Sequence, residues 1–223
     1  MVTKEGIRLK SRRYYVATTA RIRKKELNNT DFTIISNNCW GGLIYQSYAL
    51  PYQSPTAGLF FMADDYIKFL RDLKGYINSP LTFISCDESK WKEEMKKHNF
   101  WGTYPVGKIK DIEIFFLHYQ SKEEAAEKWM RRCERINWDR MLIKFNDQNG
   151  CTEEHLKEFA SLKYPNKVCF TCKKYPYITN ITYIDSSKKH NVIKASYEPF
   201  GRSRHIDITK LLNNLQGSSW YSD

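Results

Sequence analysis

One junction limits the fold of this chain more than any other feature: at residues 32–48 a short apolar run gives way to polar residues and then to a helical pattern. Residues 32–35 are aromatic and β-branched, as a buried strand requires, and the polar residues 36–39 follow at once. Gly41 and Gly42 then open a segment with helical spacing of apolar side chains. Such a junction is where α/β proteins bind ligands, because the backbone amides of the helix start point at the bound group.

Strand and helix patterns alternate along the rest of the chain. Further apolar runs that indicate strands lie at residues 56–62, 81–86, 110–119, 140–147 and 167–172. Segments in which apolar residues recur at helical intervals lie between these strands. Two of the predicted helices begin with a start signal, which is the capping box of Ser121 and Glu124 in one and the N-cap residue Asp207 in the other. The order predicts an α/β fold in a single domain at residues 26–223, a three-layer Rossmann-like, mainly parallel sheet with helices on both faces.

A basic leader, residues 1–25, precedes this domain. It holds nine basic residues against Glu5, and so carries +8 of the formal net charge of +11. With Ile7, Tyr14 and Ile22 among the bases, it is suited to anionic lipid head groups or nucleic acid. A solvated helix packed beside the domain explains the pattern equally well. The bases are Lys4, Arg8, Lys10, Arg12, Arg13, Arg21, Arg23, Lys24 and Lys25.

Composition and missing motifs argue against several classes of protein. No run of about 18 apolar residues exists, so neither a transmembrane helix nor a secretory signal is expected. The six cysteines are spread over predicted strands and helices, which favours reduced thiols and a cytoplasmic protein. Cys169 and Cys172 lie within one β-run and would face opposite sides of the sheet, so no metal site is predicted. Gly-rich dinucleotide and phosphate loops are absent, so NAD and ATP are not indicated.

Polar residues at the ends of the predicted strands are the candidates for chemistry. Parallel strands would bring four such ends to one edge, namely residues 36–39, 85–87, 118–119 and 146–149. We predict Cys39 as nucleophile, with Ser36 as the alternative, His118 as general base and Asp147 as the carboxylate that orients it. Each has a structural alternative: Cys39 as a small buried side chain, His118 as a hydrogen-bonded edge histidine, and Asp147 as part of a turn before Gly150.

A ligand-binding group is predicted around these three residues. An amide of Asn37 or Asn38 would donate to an oxyanion, and Arg202 with His205 would hold a phosphate or carboxylate. His205 is a second candidate for the base, and an exposed basic loop is the simpler interpretation of that segment. The predicted ligand-binding residues are Ser36, Asn37, Asn38, Trp40, Gly41, Asn149, Cys151, Arg202 and His205.

The chain resembles a bacterial family of unknown function whose members are often described as exopolysaccharide or capsule biosynthesis proteins. The resemblance covers about residues 24–215. Its most specific part is Ser-Asn-Asn-Cys-Trp-Gly-Gly at residues 36–42, with Tyr-Gln-Ser-Pro-Thr at 52–56, Arg-Ile-Asn-Trp at 135–138 and Asp-Gln-Asn-Gly-Cys-Thr-Glu-Glu at 147–154. The first element is also similar to the Gly-Asn-Cys strand end of capsule proteins that bind coenzyme A.

These resemblances imply a role in surface polysaccharide assembly. We expect a cytoplasmic transferase that moves an acyl group, with a coenzyme A thioester as donor, to a sugar or lipid-linked glycan. The alternative is a non-catalytic module that binds a nucleotide sugar or a partner protein of the pathway. The basic leader would hold the protein at the anionic inner face of the membrane, and no specific nucleic acid partner is expected.

Overall fold

The computed structural model describes residues 4–97, 101–185 and 191–217, and within them the strands form two separate sheets. Four strands make a parallel sheet in the order β1-β5-β6-β7, and three make an antiparallel sheet in the order β2-β3-β4. The strands are β1 (Thr33–Ser36), β2 (Thr82–Ile84), β3 (Val106–Ile109), β4 (Ile112–Phe115), β5 (Met141–Asn146), β6 (Lys167–Thr171) and β7 (Ile181–Tyr183).

Helices surround the two sheets. The side chain of Ser121 accepts a hydrogen bond from the amide of Glu124, and Asp207 accepts from the amide of Lys210, so both predicted N-caps are confirmed. The carboxylate of Glu124 accepts from the amide of Gln120, so the reciprocal half of the predicted capping box is not formed at Ser121. The helices are α1 (Lys4–Lys25), α2 (Trp40–Ser47), α3 (Ala63–Arg71), α4 (Leu73–Ile77), α5 (Lys92–Met95), α6 (Lys122–Cys133), α7 (Glu153–Ser161) and α8 (Ile208–Asn213).

The parallel sheet is buried on both faces. Ile34 packs into one apolar cluster with α2 and α8, whereas its neighbour Ile35 packs into another with α3 and α7. Leu142 and Ile143 of β5 divide between the clusters in the same way. Since successive side chains of a strand point to opposite faces, this alternation places helices on both sides of the sheet. The predicted α/β fold with a mainly parallel sheet is therefore confirmed.

The antiparallel sheet differs from the expectation that all strands share one sheet. Lys110 and Asp111 join β3 to β4, and Lys110 has a φ of 50°. Two connecting residues allow only an antiparallel hairpin, because a parallel pair needs a crossover of a dozen residues or more. Strand β3 lies outside the apolar runs that predict strands, directly before the run at residues 110–119.

Two further segments also differ from prediction. Residues 56–62 form a turn with one isolated bridge, Phe60 to Phe115, instead of a strand. Gly58 has a φ of 84°, which breaks the extended backbone that a strand needs. Strand β7 lies outside the apolar runs that predict strands, in a segment without clear periodicity. It extends the parallel sheet beside β6.

The basic leader forms helix α1, which packs on α2. Ala20 and Arg23 of α1 are buried at this contact, and Nε of Arg23 donates to the carbonyl oxygen of Ser47 at 2.7 Å. This face matches the packed-helix interpretation of the leader, while the opposite face remains exposed. In the part of the chain that the structure describes, no helix has the length and apolar character needed to span a bilayer.

Candidate active site at the carboxyl ends of β1 and β5

The polar residues that follow β1 and β5 meet at one edge of the parallel sheet. Nδ2 of Asn37 donates to Oδ1 of Asn146 at 2.8 Å, and Nδ2 of Asn38 lies 3.4 Å from Oε1 of Gln148. The two strands are adjacent and parallel, so their carboxyl ends necessarily emerge together. Two of the four predicted strand ends are therefore assembled. Residues 85–87 and 118–119 instead follow β2 and β4, which are strands of the antiparallel sheet.

A fully buried ion pair lies directly beneath this edge. Nζ of Lys144, on β5, is 2.5 Å from Oε1 of Glu198, and neither side chain has any exposed surface. The ammonium group also donates to Oδ1 of Asn38 at 2.9 Å and to Oδ1 of Asn37 at 3.3 Å. The pair therefore fixes the orientation of both asparagine amides.

The carboxylate of Glu198 is held by amides as well as by Lys144. Nδ2 of Asn146 donates to Oε1 at 2.9 Å, and Nδ2 of Asn38 lies 3.4 Å from Oε2. Burial lowers the pKa of Lys144 and raises the pKa of Glu198, while the attraction between the two opposes both shifts. Removing either partner would leave an uncompensated group in an apolar setting.

Neither residue was singled out from the sequence. One signal was present: Lys144 lies between Ile143 and Phe145 in a run that predicts a buried strand, and a buried lysine requires an acidic partner. Glu198 carried no such signal. It follows a short 3-10 turn, Ala195–Tyr197, in a segment without periodicity.

A cleft of about 180 Å³ opens above this network, between the two sheets. Residues of the parallel-sheet edge line one side, and Phe60, Tyr104 and Leu117 line the other. Phe60 stacks on Phe115 of β4, with ring centroids 4.9 Å apart, which joins the apolar wall to the antiparallel sheet. None of the eight lining residues carries a charge: Asn38, Cys39, Phe60, Tyr104, Leu117, Gln148, Asn149 and Ala195.

Three polar groups of the lining are available to a ligand. Among the described residues, Nε2 of Gln148, Oδ1 of Asn149 and the hydroxyl of Tyr104 make no hydrogen bond, whereas Nδ2 of Asn149 donates to the carbonyl oxygen of Phe61 at 2.9 Å. The φ of Asn149 is 58°, a conformation that asparagine tolerates better than most residues. The cleft thus offers both donors and acceptors at fixed positions.

Cys39 lines the cleft as a neutral thiol. Its Sγ lies 3.8 Å from the carbonyl oxygen of Leu59. Burial, followed by the negative charge of Glu198, raises the pKa of Cys39 to about 12. A thiolate is the nucleophilic form of cysteine, so this environment does not activate Cys39 at neutral pH. Since the unfolded thiol ionises near pH 9.0, the resulting contribution to stability is complete below that pH and is lost as the pH rises through about 12.

Native Cys39 is therefore expected to react with iodoacetamide about a hundredfold more slowly at neutral pH than a free thiol. The smaller thiolate fraction lowers the rate by more than a thousandfold, and the greater nucleophilicity of a high-pKa thiolate restores part of it. Peptide mapping by mass spectrometry, with the partly exposed Cys86 as internal comparison, measures the rate. Rapid labelling of Cys39 in the folded chain would contradict this environment.

The other two predicted catalytic residues lie apart from the cleft lining. His118 is exposed and follows β4. Asp147 accepts hydrogen bonds from the backbone amides of Cys172 at 2.6 Å and Ile193 at 2.8 Å, and so fastens the segment after β6 to residue 193. The catalytic roles of His118 and Asp147 stay predictions. The contacts of Asp147 are structural, because they hold two loop segments together.

Three of the predicted ligand-binding residues shape the junction without lining the cleft. Oγ of Ser36 donates to the carbonyl oxygen of Asn38 at 2.8 Å. Buried Trp40 donates from Nε1 to the carbonyl oxygen of Pro199 at 2.8 Å. A Cβ on Gly41 would lie 3.3 Å from Cγ2 of Ile34, so glycine permits α2 to approach β1 this closely.

The last three predicted ligand-binding residues also lie outside the cleft. The half-buried Cys151 packs against the core, and burial raises the pKa of its thiol. Arg202 lies in a second, polar cleft between α1 and α8, 3.7 Å from Glu26. Nε2 of His205 is 3.3 Å from Oδ1 of Asp185. The structure thus places Asn38, Cys39 and Asn149 of the predicted residues in the cleft lining, and adds Gln148.

Comparison with known proteins gives the family of the chain. A family model described as "Domain of unknown function (DUF1919)" matches residues 10–216. An uncharacterized protein of Haemophilus influenzae is 34% identical over 189 residues, which cover 85% of this chain and 84% of the relative. The family model covers α1 from residue 10 onward, both sheets and every residue of the cleft. The chain therefore belongs to the DUF1919 family.

Proposed function

We propose that this protein binds a sugar of a glycan precursor in the cleft between its two sheets, as a step in surface polysaccharide assembly. The observation that carries the proposal is the lining, in which three neutral amides face an aromatic and aliphatic wall. Sugar hydroxyls are both donors and acceptors, and they match the groups of Gln148, Asn149 and Tyr104 that make no hydrogen bond to the described part of the chain. The apolar C–H face of a sugar ring fits against Phe60 and Leu117.

The size and charge of the cleft favour a single sugar unit. Its volume of about 180 Å³ is below the roughly 300–1,000 Å³ of pockets that enclose drug-sized ligands. Because no lining residue is charged, a phosphate of a nucleotide sugar or lipid carrier would lie outside the cleft, where water solvates it. A sugar or lipid-linked glycan with only its terminal ring inserted meets both limits.

The surface polysaccharide part of the proposal rests on the resemblance of residues 36–42, 52–56, 135–138 and 147–154 to exopolysaccharide and capsule proteins. In that pathway the sugar is carried on a lipid at the inner face of the membrane, which is where we propose that this protein acts from the cytoplasm. The exposed face of α1 supports this location through its basic residues.

Binding is better supported than acyl transfer at this cleft. Transfer through an acyl-cysteine needs a thiolate, and the pKa of Cys39 is raised to about 12. Direct attack of a sugar hydroxyl on a coenzyme A thioester needs a general base, and the lining holds only amides, one thiol, one phenol and apolar groups. We therefore favour the binding module over the transferase.

The proposal predicts that Gln148→Ala weakens sugar binding about 3- to 10-fold, the effect of one hydrogen bond to a neutral ligand. Isothermal titration of the full chain with nucleotide sugars, free sugars and coenzyme A measures the affinities. Gln120→Ala is the matched control, because Gln120 is exposed and lies outside the cleft. Equal affinity in both variants, or no binding of any sugar, would overturn the proposal. Tighter binding of coenzyme A than of every sugar would favour acyl transfer.

A further inference from the structure

Exposed apolar side chains are concentrated on one helix. Among the described residues, six large apolar side chains are exposed, and four belong to α1: Ile7 is 54% exposed, Tyr14 74%, Tyr15 56% and Ile22 62%. The other two, Met130 and Tyr177, lie on separate elements. An apolar group gathered in this way on a soluble surface marks an interaction site, whereas scattered residues do not.

Ile7, Tyr14 and Ile22 lie on the outward side of α1, whereas the ring of Tyr15 turns toward the domain and contacts Arg23 and Phe200. Tyr14, Thr18 and Ile22 are four residues apart, and Ile7 precedes Tyr14 by seven, so helical periodicity puts them in one row. The row faces away from the domain, because Ala20 and Arg23 on the opposite side are buried against it. The exposed row is a property of the packed helix and not of an unattached segment.

Basic side chains flank the row. Lys10, Arg21, Lys24 and Lys25 are all exposed, and none forms an ion pair with any described residue. Nearby acidic groups are few: Glu26 faces Arg202 at 3.7 Å, and α1 itself contains only Glu5 in its sequence. The outward side of α1 thus presents unneutralised positive charge around apolar side chains.

We propose that this face, made of Ile7, Tyr14 and Ile22 with Lys10, Arg21, Lys24 and Lys25, docks α1 in the plane of a bilayer that contains anionic lipid. The tyrosine ring and the aliphatic side chains enter the headgroup boundary, and the basic groups contact lipid phosphates. The inference deepens the proposed function and rests on it for the choice of membrane. A lipid-linked sugar would place the ligand of the cleft at the same surface.

The apolar row favours a bilayer over nucleic acid. Binding to a phosphate backbone uses basic and polar side chains and gains little from Ile7 or Ile22. A second copy of the chain is disfavoured by charge, because two such faces would bring eight unpaired cations together. A bilayer with anionic lipid satisfies both the charge and the apolar groups.

Docking of α1 would also orient the cleft. The guanidinium carbons of Arg12 and Arg23 lie 4.8 and 5.2 Å from the ring centroid of Phe200, and Arg12 donates to the carbonyl oxygen of Glu198. The helix is therefore attached to the segment that supplies Glu198 to the buried ion pair. A helix held in this way transmits a fixed orientation to the domain when it lies on a membrane.

Sedimentation of the full chain with phosphatidylglycerol-containing vesicles tests the inference. Each basic residue near an anionic surface strengthens binding about fivefold, so Arg21→Gln, Lys24→Gln and Lys25→Gln together should weaken it on the order of a hundredfold. The matched control neutralises three exposed lysines elsewhere, Lys97, Lys163 and Lys173, and should bind like the wild type. Phosphatidylcholine vesicles should bind the wild type much more weakly.

A second variant tests the apolar part independently. Tyr14→Ser with Ile22→Ser keeps every charge and should lower vesicle binding at least tenfold, with circular dichroism confirming an unchanged fold. The proposal is overturned if either α1 variant binds anionic vesicles like the wild type. It is also overturned if the protein binds nucleic acid more tightly than vesicles at equal ionic strength. A third contradicting result is that Tyr14→Ser with Ile22→Ser converts a dimer to a monomer and leaves vesicle binding unchanged. Gln148→Ala should bind vesicles normally, so failure of sugar binding and failure of docking are separable.

Discussion

Replacing Glu198 with leucine is expected to lower the free energy of unfolding by about 3–5 kcal/mol, because it strands Lys144 in the interior. Lys144 has no exposed surface, and its Nζ lies 5.8 Å from the Trp40 ring and 5.9 Å from the Phe170 ring. The remaining amide oxygens of Asn37 and Asn38 can accept its protons but cannot balance its charge. Urea denaturation followed by circular dichroism measures the loss.

A double variant tests whether the unpaired charge of Lys144 causes this loss of stability. Lys144→Met combined with Glu198→Leu removes both charges, and its stability should return to within about 1–2 kcal/mol of the wild type, since a buried ion pair and an apolar pair of similar volume are often equivalent. Glu134→Leu is the control, because Glu134 is exposed and forms no ion pair with any residue that the structure describes. If Glu198→Leu costs less than about 1 kcal/mol, the ion pair is not buried as described.

Asp65→Ala is expected to lower the free energy of unfolding by roughly 2–4 kcal/mol, because three hydrogen-bond donors would lose their buried acceptor. This is the second large effect that we expect. The carboxylate of Asp65 on α3 accepts from Nε1 of Trp91 at 2.6 Å, from the amide of Glu113 at 3.1 Å and from Nζ of Lys90 at 2.5 Å. Glu113 lies on β4, so Asp65 ties the antiparallel sheet to the helix that packs on the parallel sheet.

Urea denaturation again measures the effect, with the exposed Asp139→Ala as control. Asp65→Asn keeps one acceptor oxygen and should lose less stability than Asp65→Ala. Because the antiparallel sheet carries the apolar wall of the cleft, Asp65→Ala should also weaken sugar binding without touching the lining. A cost below about 1 kcal/mol for Asp65→Ala would show that this network does not hold the two sheets together.

Local signals in the sequence predicted most of the parallel sheet. Apolar runs identified β1, β5 and β6, and the polar residues after β1 and β5 do meet, as the rule for parallel strands requires. The antiparallel sheet escaped prediction because a two-residue turn without glycine, Lys110–Asp111, closes its hairpin. Strand direction depends on such turns, and apolar periodicity does not report it.

The buried half of the site could not be predicted for a different reason. Glu198 reaches Lys144 from a segment 54 residues further along the chain that has no periodicity, so no spacing rule connects them. The environment of Cys39 is likewise a tertiary property. A cysteine at a helix start is expected to ionise readily, yet burial and Glu198 raise the pKa of Cys39 to about 12. Only the fold reveals that the charge beside the thiol is negative.

A crystal structure of the protein grown with a nucleotide sugar tests the central claim most directly. We predict a sugar ring in the cleft, its hydroxyls on Gln148, Asn149 and Tyr104, its apolar face on Phe60, and its phosphates in solvent outside the cleft. A sugar bound elsewhere at full occupancy, or a phosphate or coenzyme A thioester seated among Asn38, Cys39 and Gln148, would contradict it.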